Sequence, residues 1–198
     1  VAYLAGTEAE AEDSMKRVSR SCRVALFTAV FACSVFSGSA YADRIVVFGA
    51  TGTIGKLIVR EALDRGHEVV GVSRNPHNFD YPEANFIGLA GNPTVVESVL
   101  EIAQGADAVI NAVGSSVSPT PQETPMYQSA NAITRAFADL GDESPLVVAI
   151  AGGTTTYSSE EEMLNSPPAN RITDPAALSS FIGHRRAYEI YRDSNINW

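Results

Sequence analysis

Apolar residues fall into two alternating periods from Arg44 onward. Short apolar runs alternate with stretches whose apolar positions recur every three or four residues. The runs predict strands at Arg44–Phe48, Glu68–Ser73, Ala84–Leu89, Asp107–Val113 and Leu146–Ala151. The helical stretches are about Thr53–Arg65, Thr94–Gln104 and Met126–Leu140, and a last helix opened by Asp174-Pro175 that reaches about Asp193. Ile54, Leu57, Ile58 and Leu63 approximate the apolar face of the first helix, and Asn92-Pro93 reads as the cap and first turn of the second. Glycines stop two helices, at Gly66 and Gly141. A Ser/Pro/Thr-rich loop, Ser115–Pro125, follows the fourth strand, and a long irregular region, Gly152–Thr173, follows the fifth. Strand and helix in alternation predict an α/β fold with a doubly wound parallel sheet. Asn195-Ile-Asn-Trp198 reads as the way into a sixth strand, so the sheet is expected to be truncated before it.

The first strand runs into Gly49-Ala-Thr-Gly-Thr-Ile-Gly55, with glycines three apart and a helix behind them. Between a strand and a helix, that spacing suits the pyrophosphate of a dinucleotide. The turn brings backbone close to the phosphates, and the positive helix end faces their charge. On this reading a side chain at Gly49 or Gly52 would occupy the phosphate's space, and Gly55 would let the helix pack on the strand. Thr51, Thr53 and Ile54 complete the cradle. The second strand ends in Ser73-Arg74-Asn75, with no acid to take a free ribose 2′-hydroxyl, which favours NADP over NAD. Gly91 and Asn92 would lie beside the adenine, and Ala112, Val113 and Gly114 would pass the nicotinamide ribose. The alternative is a purely structural glycine turn.

Residues 15–42 have another character. Met15-Lys-Arg-Val-Ser-Arg-Ser-Cys-Arg is basic, Val24–Phe36 is mostly apolar, and Ser39-Ala-Tyr-Ala42 offers a small-x-small cleavage site. That is the layout of a secretory signal peptide. The expected address is secreted or periplasmic, with Asp43 as the mature N-terminus. It is cytoplasmic instead if the leader is a mis-assigned start. An uncleaved anchor and a transit peptide are the other readings. Val1–Ser14 reads as an over-extended start. Cys22 and Cys33 both fall in the leader, so the mature domain, residues 43–198, would lack cysteine chemistry. Its 156 residues carry 10 basic and 19 acidic side chains. That acidity argues against nucleic acid as a partner. No membrane association is expected once the leader is gone, and nothing fixes the oligomeric state.

Gly49–Gly55, Arg74-Asn-Pro76 and Asn111-Ala-Val-Gly114 together resemble the atypical short-chain dehydrogenase/reductase superfamily. The chain is most similar there to the NmrA-like and NADH-flavin-reductase-like NAD(P)H-binding proteins. Val147–Gly153 resembles that group's fifth strand and glycine turn, and Gly183–Trp198 its last-helix segment. The resemblance implies a Rossmann-like fold, an NADP or NAD cofactor, and hydride transfer to a flavin or similar planar small-molecule acceptor. A non-catalytic NAD(P) sensor, as some NmrA-like proteins are, is the alternative, and a sugar-nucleotide epimerase a third reading. The Tyr-x-x-x-Lys pair of better-known relatives reads here Tyr188-Glu-Ile-Tyr-Arg192, with arginine a poor substitute for the lysine. Tyr188 is expected to be core or helix surface. Biliverdin-reductase-like relatives carry a serine where this chain has Gly152. Two catalytic candidates remain: His184, as a proton donor facing the cleft, and Tyr157, which with Thr154–Thr156 would line the acceptor pocket. Ser115–Tyr127 would form a lid, and the acidic run Glu160–Glu162 a solvated face. No metal-ligand spacing stands out.

Overall fold

A computed structural model describes residues 42–198 apart from Ser115. The leader, with Cys22 and Cys33, lies outside the described residues. Among those residues no helix is long and apolar enough to cross a membrane.

Five parallel strands form one sheet in the order β3-β2-β1-β4-β5. They are β1 Arg44–Phe48, β2 Glu68–Ser73, β3 Phe86–Ala90, β4 Ala108–Asn111 and β5 Leu146–Ala149. The helices are α1 Thr53–Asp64, α2 Val96–Ile102, α3 Pro125–Phe137, α4 Glu160–Leu164 and α5 Pro175–Arg192. Strand order reverses beside β1, so the connections after β1 and β4 leave on opposite faces of the sheet and a crevice lies between them, the position where such sheets bind ligands.

β1 is central because every residue from Val46 to Phe48 is fully buried. Alternate side chains serve different layers. Val46 and Phe48 join β2, β4 and β5 residues under α2, α3 and α5, whereas Val47 joins Val69, Val59, Ala62 and Leu63 under α1. The buried face of α1 is therefore Gly55, Val59, Ala62 and Leu63. Ile54 and Leu57, expected in that face, are 50% and 68% exposed. The close approach of Gly55 rotates the helix so that those two point outward.

No helix joins β2 to β3. A 3-10 turn, Pro76–Asn78, leads instead to Phe79, Tyr81 and Phe86. Their rings sit 4.6–6.3 Å apart on the sheet face a helix would cover. Gly71 and Gly88 leave the room: a Cβ there would come within 2.8 Å of Phe86 and 2.7 Å of Phe79.

Three boundaries differ from the sequence reading for local reasons. α2 starts at Val96, because Asn92 Oδ1 accepts from Thr94 N (3.1 Å) and Thr94 Oγ1 (2.9 Å) and so caps a turn ahead of the helix. β4 stops at Asn111, whose own Oδ1 accepts from Val113 N at 3.3 Å. Within 152–173 the chain forms 3-10 turns at Gly153–Thr156 and Ala169–Arg171, with α4 between them. The acidic run is the first turn of α4, where negative charge meets the positive helix end. Glu161 and Glu162 are exposed, as expected of a solvated face, with Glu162 accepting from Ser158; Glu160 is half-buried and pairs with Arg186. At the outer edge of β5, Asn197 O accepts from Val147 N at 2.8 Å, so the residues after α5 take the place the sequence pattern gave to an incoming strand.

Candidate functional site

The turn after β1 is shaped by backbone contacts. Gly49 has φ +79°, and a Cβ on it would lie 2.7 Å from Ala112 O. Its requirement is thus for a left-handed backbone against the β4 loop rather than for phosphate space, which corrects half of the sequence expectation. A Cβ on Gly55 would lie 2.1 Å from Gly49 O and 2.9 Å from Ala50 Cα, so α1 can sit this close to β1 only with glycine there. Gly52 differs: its Cβ would meet only Gly49 O, at 3.1 Å, and otherwise open space. That space, exposed at Gly52, Thr53 and Ile54, is where a pyrophosphate fits.

Electrostatics agree with the fit. Gly52 N donates to Gly49 O at 2.9 Å and closes the turn, so it is not among the open donors. By helix geometry those are the first-turn amides of Thr53, Ile54 and Gly55. No acid stands in that turn to neutralise them. Thr51 is half-buried beside it.

The other cofactor candidates lie on the same carboxyl edge. Ser73 ends β2 with its hydroxyl buried and without a hydrogen-bond partner among the described residues. An orphaned hydroxyl at this place suits a ribose or phosphate oxygen. Arg74 follows it and is exposed. Gly91, after β3, donates its N–H to Ser73 O at 3.0 Å, and a Cβ there would collide with Ile102 and Val72. Asn92, beyond it, is exposed and occupied with Thr94. Ala112 and Val113 are half-buried and Gly114 exposed, and Ala112 N donates to Phe48 O. The residues present therefore fit a dinucleotide bound along this carboxyl edge.

Beneath the β4 end lies a buried polar network that the sequence reading missed. Asn111 Nδ2 donates to Ser129 Oγ (2.9 Å) and to Tyr191 Oη (3.0 Å), joining β4 to α3 and α5. Burial pushes the Tyr191 phenol up to about 12, so it remains a neutral partner. The signal available was Asn111 ending an otherwise apolar strand.

Past the carboxyl end of β5 is a cavity of about 430 Å³ between the turn after that strand and α5. Gly152, Thr154, Tyr157, Ile172, Phe181 and His184 line it, so both catalytic candidates face one space. Ser180, one helical turn before His184, lines it too, although the sequence reading passed over it. Imidazole Nδ1 lies 3.2 Å from where a Cβ of Gly152 would stand. Burial holds the His184 pKa below the ordinary histidine value of 6.5, so the ring is neutral near pH 7. Tyr188 and Arg192 are elsewhere: Tyr188 packs edge-on to Trp198 at 6.1 Å, and Arg192 pairs with Asp193.

Two sets of contacts fix the cavity's walls. Arg185, 2% exposed, donates to the carbonyls of Tyr157 and Ser158 (3.2 Å to the latter) and to Glu189 Oε1 at 2.8 Å. Ser179 Oγ donates to Pro119 O at 3.1 Å, and Ser180 Oγ donates to Ser116 O. Gly183 lets α5 pass against this loop, since a Cβ there would lie 2.5 Å from Thr124 Oγ1. In this structure, then, the segment Ser116–Thr124, expected as a lid, is pinned to α5.

Comparison with known proteins agrees with this geometry. A solved structure of a candidate exported protein from Burkholderia pseudomallei is 26% identical, with a TM-score of 0.59 over 79% of this chain and 69% of that one. A candidate NADH-flavin reductase from Streptococcus pneumoniae TIGR4 is 21% identical, with a TM-score of 0.57 over 78% and 68%. A short chain dehydrogenase from Burkholderia cenocepacia J2315, solved in complex with NADP, shares the fold at 17% identity and a TM-score of 0.57, over 76% and 64%. Among curated proteins, the photosystem II assembly factor Ycf39 of Synechocystis sp. (strain ATCC 27184 / PCC 6803 / Kazusa) is 38% identical over 72 residues, which is 35% of this chain. The match spans only 22% of that relative's length. The sequence profile of the NAD(P)H-binding family covers residues 49–198, and the chain belongs to that family, as its resemblance to the atypical short-chain dehydrogenases/reductases implied.

Proposed function

We propose that this protein is an NADPH-dependent reductase whose acceptor, a flavin or similar planar molecule, occupies the cavity at His184. The observation that carries this reading is the cavity's place: it lies past the carboxyl end of β5, on the sheet edge that carries the glycine turn, and a nicotinamide reaching across β4 would come beside it. The bound dinucleotide supplies hydride. The chain's residues hold the reactants and exclude water, and reduction between stacked rings needs little beyond such positioning. His184, neutral by burial, offers an imidazole N–H or lone pair to an acceptor oxygen. The candidate NADH-flavin reductase among the structural neighbours has the same fold and supports the choice of acceptor.

Arg74 and the orphaned Ser73 hydroxyl support NADP over NAD. With Arg74→Ala, affinity for NADPH should fall about tenfold while that for NADH stays within about twofold, since one charge-assisted contact is worth roughly 1.5–3 kcal/mol. Equal losses for both nucleotides would remove the 2′-phosphate from the assignment. Export belongs to the same proposal. It is supported by the basic–apolar–small leader and by the candidate exported relative, and N-terminal sequencing of protein recovered from outside the cytoplasm tests it.

The central test is NADPH oxidation with added flavin, comparing the parent protein with Gly52→Asp. The variant places a carboxylate in the one open position of the turn, and activity should drop about a hundredfold or more. Full activity in a folded variant refutes the cradle. Tight nucleotide binding with no turnover across a panel of acceptors would instead establish the sensor reading.

A further inference from the structure

The cavity at His184 has a chemical character that a hydride-transfer role alone does not require. Its lining includes no lysine, arginine, aspartate or glutamate. Ile172, Ala177, Phe181 and Pro168 supply apolar walls, and among the described residues His184 and Tyr157 are the only ionisable side chains that line it. Arg185, which follows His184 on α5, is committed to Glu189 and to two carbonyls behind the wall, with 2% of its surface exposed. One polar group in the lining is unmatched: Thr154 is 4% exposed, and its hydroxyl has no partner among the described residues. An unmatched hydroxyl in an apolar wall favours a ligand that brings a hydrogen-bonding oxygen. An anion entering the same space would lose hydration and find no fixed positive charge in return.

Resting on the acceptor-site reading above, we propose that this cavity selects uncharged, flat acceptors bearing a carbonyl-type oxygen, held between Thr154 and His184, and discriminates against anionic acceptors of the same shape. Phosphorylated or sulfonated rings would bind only as far as their charge can remain in solvent. The selectivity belongs to the protein's walls and is measurable without turnover.

The test uses calorimetry on the mature protein saturated with NADP+, titrated with 1,4-naphthoquinone and with 1,4-naphthoquinone-2-sulfonate. The neutral quinone should bind about tenfold tighter or better, given an effective desolvation penalty of more than about 1.4 kcal/mol for the sulfonate. Equal or tighter binding of the sulfonate, or binding of neither quinone, overturns the proposal. Ile172→Arg adds a cation to the wall and should narrow or invert the preference. An unchanged preference in a folded Ile172→Arg protein would place the quinone elsewhere and also overturn it. Thr154→Val should weaken the neutral quinone several-fold and leave NADP+ binding intact; Thr154→Ser, which keeps the hydroxyl, should restore it. A preliminary NADP+ titration separates the two levels: nucleotide binding without quinone selectivity sinks this inference alone, and absence of nucleotide binding sinks the proposed function beneath it.

Discussion

The glycine turn after β1 and the cavity after β5 sit on one sheet edge, yet they are built by opposite means. The first is held by main chain against main chain: Gly49 against Ala112 O, Gly55 against Gly49 O and Ala50 Cα. The second is held by side chains reaching from α5 to Tyr157 and Ser158, 28 and 27 residues away, and to Pro119 in the loop before α3, 60 residues away. Backbone contacts admit one residue type and tolerate no variation. Side-chain clamps can be exchanged, which leaves the acceptor side free to change while the nucleotide side stays fixed.

One substitution made in both places gives the sharpest contrast. Gly55→Ala drives a methyl into backbone that cannot turn aside, and should destabilise the fold by about 3 kcal/mol or more. In Gly152→Ala the new methyl meets His184 Nδ1 at 3.2 Å, and an imidazole can rotate away. Its cost should stay below about 1 kcal/mol, with the effect falling on acceptor affinity. Thermal unfolding of the two variants, alongside quinone titration of the second, measures both. Similar stability losses would dissolve the distinction drawn here.

Arg185→Met asks whether the cavity wall depends on its clamp. Two carbonyls lose their donor and Glu189 loses its partner, so a loss of about 3 kcal/mol is expected. Under stabilising conditions the nucleotide Kd should hold while acceptor affinity falls, because the cradle shares no contact with Arg185. A parallel loss of nucleotide affinity would show the two regions to be one unit.

The same asymmetry decided what the sequence could reveal. β1 and β2 were legible to the residue, since continuous apolar runs bounded by a glycine turn have few other readings. The glycine spacing marked the turn between β1 and α1 for the same reason, although Gly49 answers to Ala112 rather than to a phosphate. Ile54 and Leu57 misled because periodicity marks an apolar stripe and cannot say how far a Gly55 contact rotates it. His184 and Tyr157, the catalytic candidates, line one cavity, but Ser180, the Asn111–Ser129–Tyr191 network and the Arg185 clamp were not singled out. Each of these depends on which helix face meets the sheet, a tertiary fact with no fixed spacing along the chain. Gly152–Thr173 looked irregular because its order comes from α5: Arg185 and Arg186 hold it from outside.

The smallest expected effect tests whether the cavity is as dry and uncharged as its lining implies. Burial lowers the His184 pKa from 6.5, and no neighbouring charge contributes to that shift. Below pH 6.5 the unfolded chain therefore takes up a proton that the folded chain still refuses. Stability rises with pH where the unfolded state binds more protons, so lowering the pH from 6.5 costs stability until the folded imidazole itself becomes charged. His184→Gln removes this contribution, and its Tm should decline less steeply than that of the parent as pH falls from 7.5 through 6.5 to 5. The glycine cradle contains no titrating group, so nucleotide affinity in this variant should follow that of the parent at each pH across the same interval. Parallel Tm curves for the two proteins would mean that water or a counter-charge reaches the imidazole, and the cavity would lose the character that sets it apart from the open, amide-lined cleft beside it.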